Sequence, residues 1–235
     1  EKNTFGSFFM NYMNDLLFGV YPYLAGTIFL LGSWIRFDKD QYSWKAGSSQ
    51  MLSSKGFRKA NTQFHVGILL LFVGHLFGLL TPPSVYHAFG LTTEIKQLIA
   101  MVMGGIFGII CFLGMTALVK RRLTDPRVKA TSNRSDVFIL LLIYVQLILG
   151  LLSIFVSGAH MDGQQMLLLA EWAQQIVTFH GGAAEALLEV NWLYKLHILV
   201  GLTMFFVFPF TRLVHVWSAP IWYFGRNFQV VRKRS

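Results

Sequence analysis

The stretch "FHVGILLLFVGH", Phe64 to His75, places two histidines ten residues apart inside an otherwise almost unbroken apolar run. Ionisable side chains are expensive at membrane depth, so those found there usually face the bundle interior and carry function. The rest of the chain decides whether this run is such a place. Of 235 residues, 54% are hydrophobic and only 13% are charged, about half the charged share of ordinary soluble domains. Apolar stretches recur at about Leu16–Trp34, Phe64–Leu80, Leu98–Val119, Val137–Val156 and Trp192–Phe210. Each approaches or exceeds the ~20 residues that cross a ~30 Å hydrocarbon layer. The expected fold is therefore all-α, an integral membrane protein with five transmembrane helices.

The charge of +9 reports orientation before it reports a partner. Seventeen of the 20 basic residues fall in the connection between runs one and two, the connection between runs three and four, and the tail. A five-span topology puts these three segments on one side, which the positive-inside rule makes cytoplasmic. The N-terminus is then outside and the C-terminus inside, and nucleic acid is an unlikely partner for these charges. No apolar segment ends in a small-residue cleavage site, so no removable signal peptide is expected.

No internal repeat, low-complexity tract or long linker divides the chain. The simplest organisation is one membrane domain over 1–235, with an outer segment at 1–15, the five spans, and a cytoplasmic tail at 212–235. The long outer connection contains "QQMLLLAEWAQQIVTF", with Leu168, Leu169, Trp172, Ile176 and Val177 at helical spacing. It predicts a helix lying along the outer surface and covering what lies beneath. Trp34, Trp44, Trp192, Trp217 and Trp222 fall near predicted span ends, as an interfacial belt would have them. The single cysteine, Cys111, excludes an internal disulfide and reads as a small buried apolar residue. Pro209 predicts a bend in run five. Gly67, Gly74, Gly78, Gly104, Gly105 and Gly108 read first as sites of close helix packing.

Seven histidines are present. His87, His160 and His180 fall in the outer connections, where a solvated role is the default, whereas His65, His75, His197 and His215 belong to spans two and five. Because these spans run in opposite directions, depth pairs His65 with His215 and His75 with His197. The intervals of ten and eighteen residues correspond to ~15 Å and ~27 Å along a helix, so two sites roughly 20 Å apart are expected. Eighteen residues at ~100° each complete five turns, which would return His197 and His215 to one helical face. A bare transition metal wants three or four protein ligands, usually with carboxylate or thiolate, yet no Asp or Glu adjoins these histidines in sequence. A b-type haem needs only two axial imidazoles and an apolar wall, and with both axial positions filled its chemistry is electron transfer. Histidines bonded merely to a neighbouring backbone carbonyl or helix are one alternative, and a haem-free transporter or intramembrane metal protein that uses them as proton relays is another.

The stretches "YPYLAGTIFLLGSWIRFDKDQYSWKAGSSQML", "FHVGILLLFVGHLFGLLTP", "KRRLTDPRVKATS", "AHMDG", "VTFHGG" and "LHILVGLTMFFVFPFTRLVHVWS" resemble, in order, the gamma subunit of respiratory nitrate reductase. That family is a dihaem cytochrome b, and the similarity runs from about Tyr21 to the C-terminus. The resemblance implies two b haems, His65 with His215 for the inner, proximal one and His75 with His197 for the outer, distal one. It implies a quinol-oxidising subunit of a quinol:nitrate oxidoreductase, in a bacterial cytoplasmic (inner) membrane. Electrons would pass to an iron–sulfur beta subunit and a molybdenum-containing alpha subunit, where nitrate is reduced. It carries the quinol-site lysine onto Lys96, which on its own reads as a cation snorkelling at the outer end of span three. Gly74 would let the quinol ring approach beside His75. Arg212 is a candidate partner for a haem propionate, or an interfacial anchor. The basic connections and tail would dock the soluble subunits or bind anionic membrane lipid. A dihaem anchor serving another soluble reductase would keep the same four histidines.

Overall fold

A computed structural model describes residues 2–44 and 56–218 of the chain. Among them the elements are all helical. α1 (Lys2–Asp15) runs through a π-helical turn at Leu16–Val20 into α2 (Tyr21–Lys39). α3 is Phe57–Leu80, α4 Pro83–Ala88, α5 Thr93–Thr124, α6 Pro126–Ala130 and α7 Arg134–Ala159. α8 (Gln164–Val177) is followed by a 3-10 turn at Ala183–Leu187, then α9 (Trp192–Val207) and two further 3-10 segments, Phe208–Phe210 and Arg212–Ser218.

Among the described residues, five stretches are long and apolar enough to cross a membrane: Phe8–Lys39, Phe57–Leu80, Thr93–Thr124, Arg134–Ala159 and Trp192–Phe210. All five expected runs lie within them. The helices overrun the apolar runs because polar ends can stay helical outside hydrocarbon once capped. Thr92 accepts from the Ile95 amide at the start of α5, Asp125 from those of Arg127 and Val128, and Asn191 from that of Leu193. α1 runs on through the π-turn into the first spanning stretch, and buried Asn14 donates to the Ala184 carbonyl at 2.6 Å.

The long helices pack in the row α3, α5, α7, α9, α2. Close approach between α3 and α5 is set by glycine: a Cβ on Gly67 would lie 2.6 Å from the Cβ of Cys111, and one on Gly114 2.6 Å from the Ala60 carbonyl oxygen. Cys111 is fully buried here, with Met115, Ile139, Ile143 and Leu147 around it. Gly74 and Gly78, by contrast, have nothing within 4 Å of the position a Cβ would take, so neither is packed against another helix among the described residues.

The predicted surface helix is α8, and its polar groups explain how it caps the bundle. Trp172 Nε1 donates to the Phe18 carbonyl in the π-turn at 2.9 Å, and Gln174 Nε2 to the Leu79 carbonyl at the end of α3. Gln165 accepts from the Asn191 amide ahead of α9. α8 therefore ties down the same end of three long helices, over a cluster of Phe18, Trp172, Leu187 and Tyr194. Trp34 and Trp192 are exposed, as belt residues would be, whereas Trp222 lies outside the described residues.

The sequence expectation fails at the far end of the fifth helix. α9 stops at Val207 and Thr211 is extended, with φ −123° and ψ 178°. His215 stands on the 3-10 segment Arg212–Ser218 rather than on one continuous helix with His197. The five-turn argument for a shared face therefore does not apply. Pro209 removes a backbone donor and crowds the preceding turn, and the resulting break is stabilised from outside. Arg36 on α2 donates from Nη1 to the carbonyl oxygens of Pro209 at 2.6 Å and Thr211 at 2.8 Å. One turn earlier, Gly32 lets Pro209 come so close that a Cβ would sit 2.8 Å from its Cγ.

Candidate functional site

Two of the four membrane-depth histidines meet directly. The rings of His75 on α3 and His197 on α9 lie 6.0 Å apart between centroids, tilted by 30°. His75 Nδ1 is 2.7 Å from the Leu71 carbonyl, one turn back on its own helix. A ring nitrogen beside a carbonyl oxygen must carry the proton, so Nε2 is left with its lone pair.

The second pair repeats the device. His65 Nδ1 lies 2.8 Å from the Asn61 carbonyl, and His215 Nδ1 2.5 Å from that of Arg212. His215 is close enough to His65 for a charge on one to disfavour a charge on the other. The structure thus brings His75 to His197 and His65 to His215, at the two ends of an α3 segment ~15 Å long.

His197 differs from the other three. Its Nε2 accepts from Gln146 Nε2 on α7 at 3.2 Å, while its Nδ1 is buried without a partner. One turn from Gln146, Gly150 makes room for the ring: a Cβ there would lie 3.0 Å from His197 Cε1.

These residues fit a haem. Among the described residues, no three His, Cys, Asp or Glu side chains converge to hold a bare ion. A group that brings its own equatorial ligands would need only two imidazoles. His65, His75 and His215 each keep Nε2 over with Nδ1 on a neighbouring carbonyl, whereas His197 would exchange its Nε2 contact with Gln146 for the metal. The orphaned His197 Nδ1 and the glycine cradle beside it belong to the same arrangement.

Lys96 lies in the first turn of α5, at the α8 end of the bundle. Its Nζ donates to the Thr81 carbonyl at the close of α3 (3.3 Å) and stands 4.1 Å over the Tyr86 ring. Tyr86 is in turn fixed to Thr93 by a 3.2 Å hydroxyl contact. Lys96 is thus held by the chain rather than snorkelling freely. Gly74 sits beside His75 with open space where a Cβ would be. Arg212 lies at the other end, where the charges of Asp136 and Arg122 act on it. Arg122 itself reaches Asp136 at 3.8 Å and Ser132 at 2.7 Å.

Residues 14–234 match the family model of the nitrate reductase gamma subunit. The chain belongs to this family. It is 50% identical over 225 residues to the respiratory nitrate reductase 1 gamma chain of Escherichia coli (strain K12), covering 96% of this chain and all of that one. It is 36% identical to the nitrate reductase gamma chain of Bacillus subtilis (strain 168), over 94% of this chain and 99% of that one. A more distant relative, 25% identical over 162 residues, is the Hdr-like menaquinol oxidoreductase cytochrome b-like subunit of Archaeoglobus profundus; the match covers 67% of this chain and 46% of that one. With five apolar helices of spanning length among the described residues, this chain is a multi-pass membrane protein.

Three residues that shape the candidate site escaped the sequence reading. Arg36 and Gly32 seat the break that presents His215. Gln146 touches His197. Its signal was available, since it is the one amide side chain in the apolar run Val137–Val156.

Proposed function

We propose that this chain is the dihaem cytochrome b subunit of a respiratory nitrate reductase, which oxidises quinol on one side of a bacterial cytoplasmic membrane and anchors the complex. The observation that carries the reading is the pairing of four imidazoles between α3 and the α9 end. His75 and His197 would hold the outer, distal haem, and His65 and His215 the inner, proximal one. When bound, the two haems supply one-electron transfer between the two depths.

The residues of the chain do the rest. Main-chain carbonyls of Leu71, Asn61 and Arg212 hold the Nδ1 protons of His75, His65 and His215, so each Nε2 is aimed as a ligand before any cofactor arrives. That preorganisation lowers the ordering cost of binding. Lys96, with one proton on the Thr81 carbonyl, keeps two donors with which to bind a quinol oxygen near His75. Gly74 leaves space for the quinol ring. Arg212 is the cation assigned to a propionate of the inner haem. The named role of the archaeal relative, a menaquinol oxidoreductase cytochrome b-like subunit, supports quinol as the reductant.

On the positive-inside rule this reading puts the N-terminus outside and the C-terminus in the cytoplasm, and it takes residues 1–235 as one membrane domain. The partners on that side are an iron–sulfur beta subunit and a molybdenum-containing alpha subunit. Protons released outside and electrons delivered inside would separate charge, each unit worth ~2.3 kcal/mol per 100 mV if moved across the full membrane. A dithionite-reduced minus oxidised absorption spectrum of the intact membrane complex tests the reading. A b-type alpha band is expected, and its absence would sink the haem assignment. Co-purification that returned a different soluble reductase would overturn the partner assignment alone.

A further inference from the structure

The environment of His197 is unlike that of its three counterparts, and the difference has a chemical consequence. His65, His75 and His215 each place Nδ1 on a backbone carbonyl of their own segment. His197 does not: its Nδ1 is buried with no partner. The polar side chain against it is Gln146, whose Nε2 lies 3.2 Å from His197 Nε2 and whose Oε1 is also buried and unpaired. A buried donor and a buried acceptor, both unsatisfied on touching side chains, form an arrangement that a folded protein rarely leaves unresolved. The ring edge packs against Gly150, one turn along α7, where a Cβ would lie 3.0 Å from His197 Cε1.

Resting on the dihaem reading, we propose that Gln146 is the positioning residue of His197. Once Nε2 is taken as an axial ligand, the remaining N–H is on Nδ1, and Gln146 Oε1 accepts it. An acceptor on Nδ1–H makes the imidazole a better donor to the metal and favours the oxidised iron. A side-chain amide also differs from a helix carbonyl in being replaceable. The distal haem's potential is therefore set by one residue of α7, whereas the proximal haem's two ligands are both held by main chain.

The test is a redox titration with low-spin haem EPR on membranes carrying the intact complex, using His75→Ala to assign which signal belongs to the distal haem. In Gln146→Met the distal haem is expected to remain bound, its midpoint to rise and its EPR line to move, while the proximal signals stay. In Gln146→Glu, which keeps an acceptor, the midpoint is expected at or below that of the wild type. Should the Met variant not assemble, Gln146→Asn withdraws the amide by one methylene and is expected to give the same upward shift. An unchanged distal midpoint in the Met or Asn variant overturns the proposal. So does an upward shift shared by Met and Glu, an equal shift of the proximal haem, or loss of the distal haem from both Met and Asn variants in an inserted chain. Wild-type membranes lacking two b-type components would instead overturn the dihaem reading itself.

Discussion

Arg36 and Pro209, 173 residues apart in the chain, are joined by a 2.6 Å hydrogen bond from the guanidinium to the proline carbonyl. The same Nη1 reaches Thr211, and the remaining nitrogens reach Ser43. A break in a membrane helix leaves carbonyls without partners, and each is costly unless something replaces the lost donor. Arg36 is that donor. Arg36→Ala is expected to destabilise the 208–218 segment by ~2 kcal/mol, the scale for hydrogen bonds to a charged group. The resulting loss should fall on the His65/His215 haem signal while the His75/His197 signal persists. Equal loss of both, measured by redox-difference spectroscopy, would refute the link between the clamp and His215.

Glycines offer a contrast that separates packing from function. A Cβ on Gly67 would meet Cys111 side-chain and backbone atoms at 2.6 to 2.8 Å, whereas one on Gly74, seven residues on, meets nothing within 4 Å. Overpacking of this kind typically costs ~1–3 kcal/mol. Gly67→Ala should lower the thermal unfolding midpoint in detergent, and Gly74→Ala should not. If Gly74 borders the quinol ring, Gly74→Ala should instead change the kinetics of haem reduction by quinol at unchanged fold stability.

What the sequence made legible follows from how local each signal is. The surface helix α8 was readable because Leu168, Leu169, Trp172, Ile176 and Val177 repeat at helical spacing within one segment. The end of α9 was not. Pro209 announced a bend, but the extent of the break depends on Gly32 and Arg36, and no local pattern connects those residues to Thr211. Gln146 went unread for a related reason. A neutral amide at membrane depth attracts less attention than a charge, and its meaning comes only from the packing of α7 on α9. The four histidines were conspicuous because imidazole in an apolar run is itself the anomaly.

The ligand pairing makes a prediction that each histidine tests separately. His75→Ala and His65→Ala should each remove a different haem signal, because their rings belong to sets at different depths on α3. His197→Ala should reproduce the spectrum of the first and His215→Ala that of the second. Removal of the same component by His75→Ala and His65→Ala would refute the assignment.

Lys96 tests the quinol site apart from the haems. Its ammonium is held between the Thr81 carbonyl and the face of Tyr86, contacts worth roughly 0.5–3 kcal/mol each at one end of the bundle. Truncation to alanine should therefore leave the bundle folded and both haems spectroscopically present, while removing the donor proposed for a quinol oxygen. Quinol-driven haem reduction is expected to fall at least tenfold, a loss of ~1.4 kcal/mol or more, with dithionite reduction unaffected. Tyr86→Phe serves as the companion measurement. It keeps the ring beneath the ammonium but deletes the hydroxyl that fixes it to Thr93, so it should weaken quinol oxidation less than Lys96→Ala does. Unchanged quinol kinetics in Lys96→Ala would remove this lysine from the site and leave the face beside Gly74 and His75 to be explained without it.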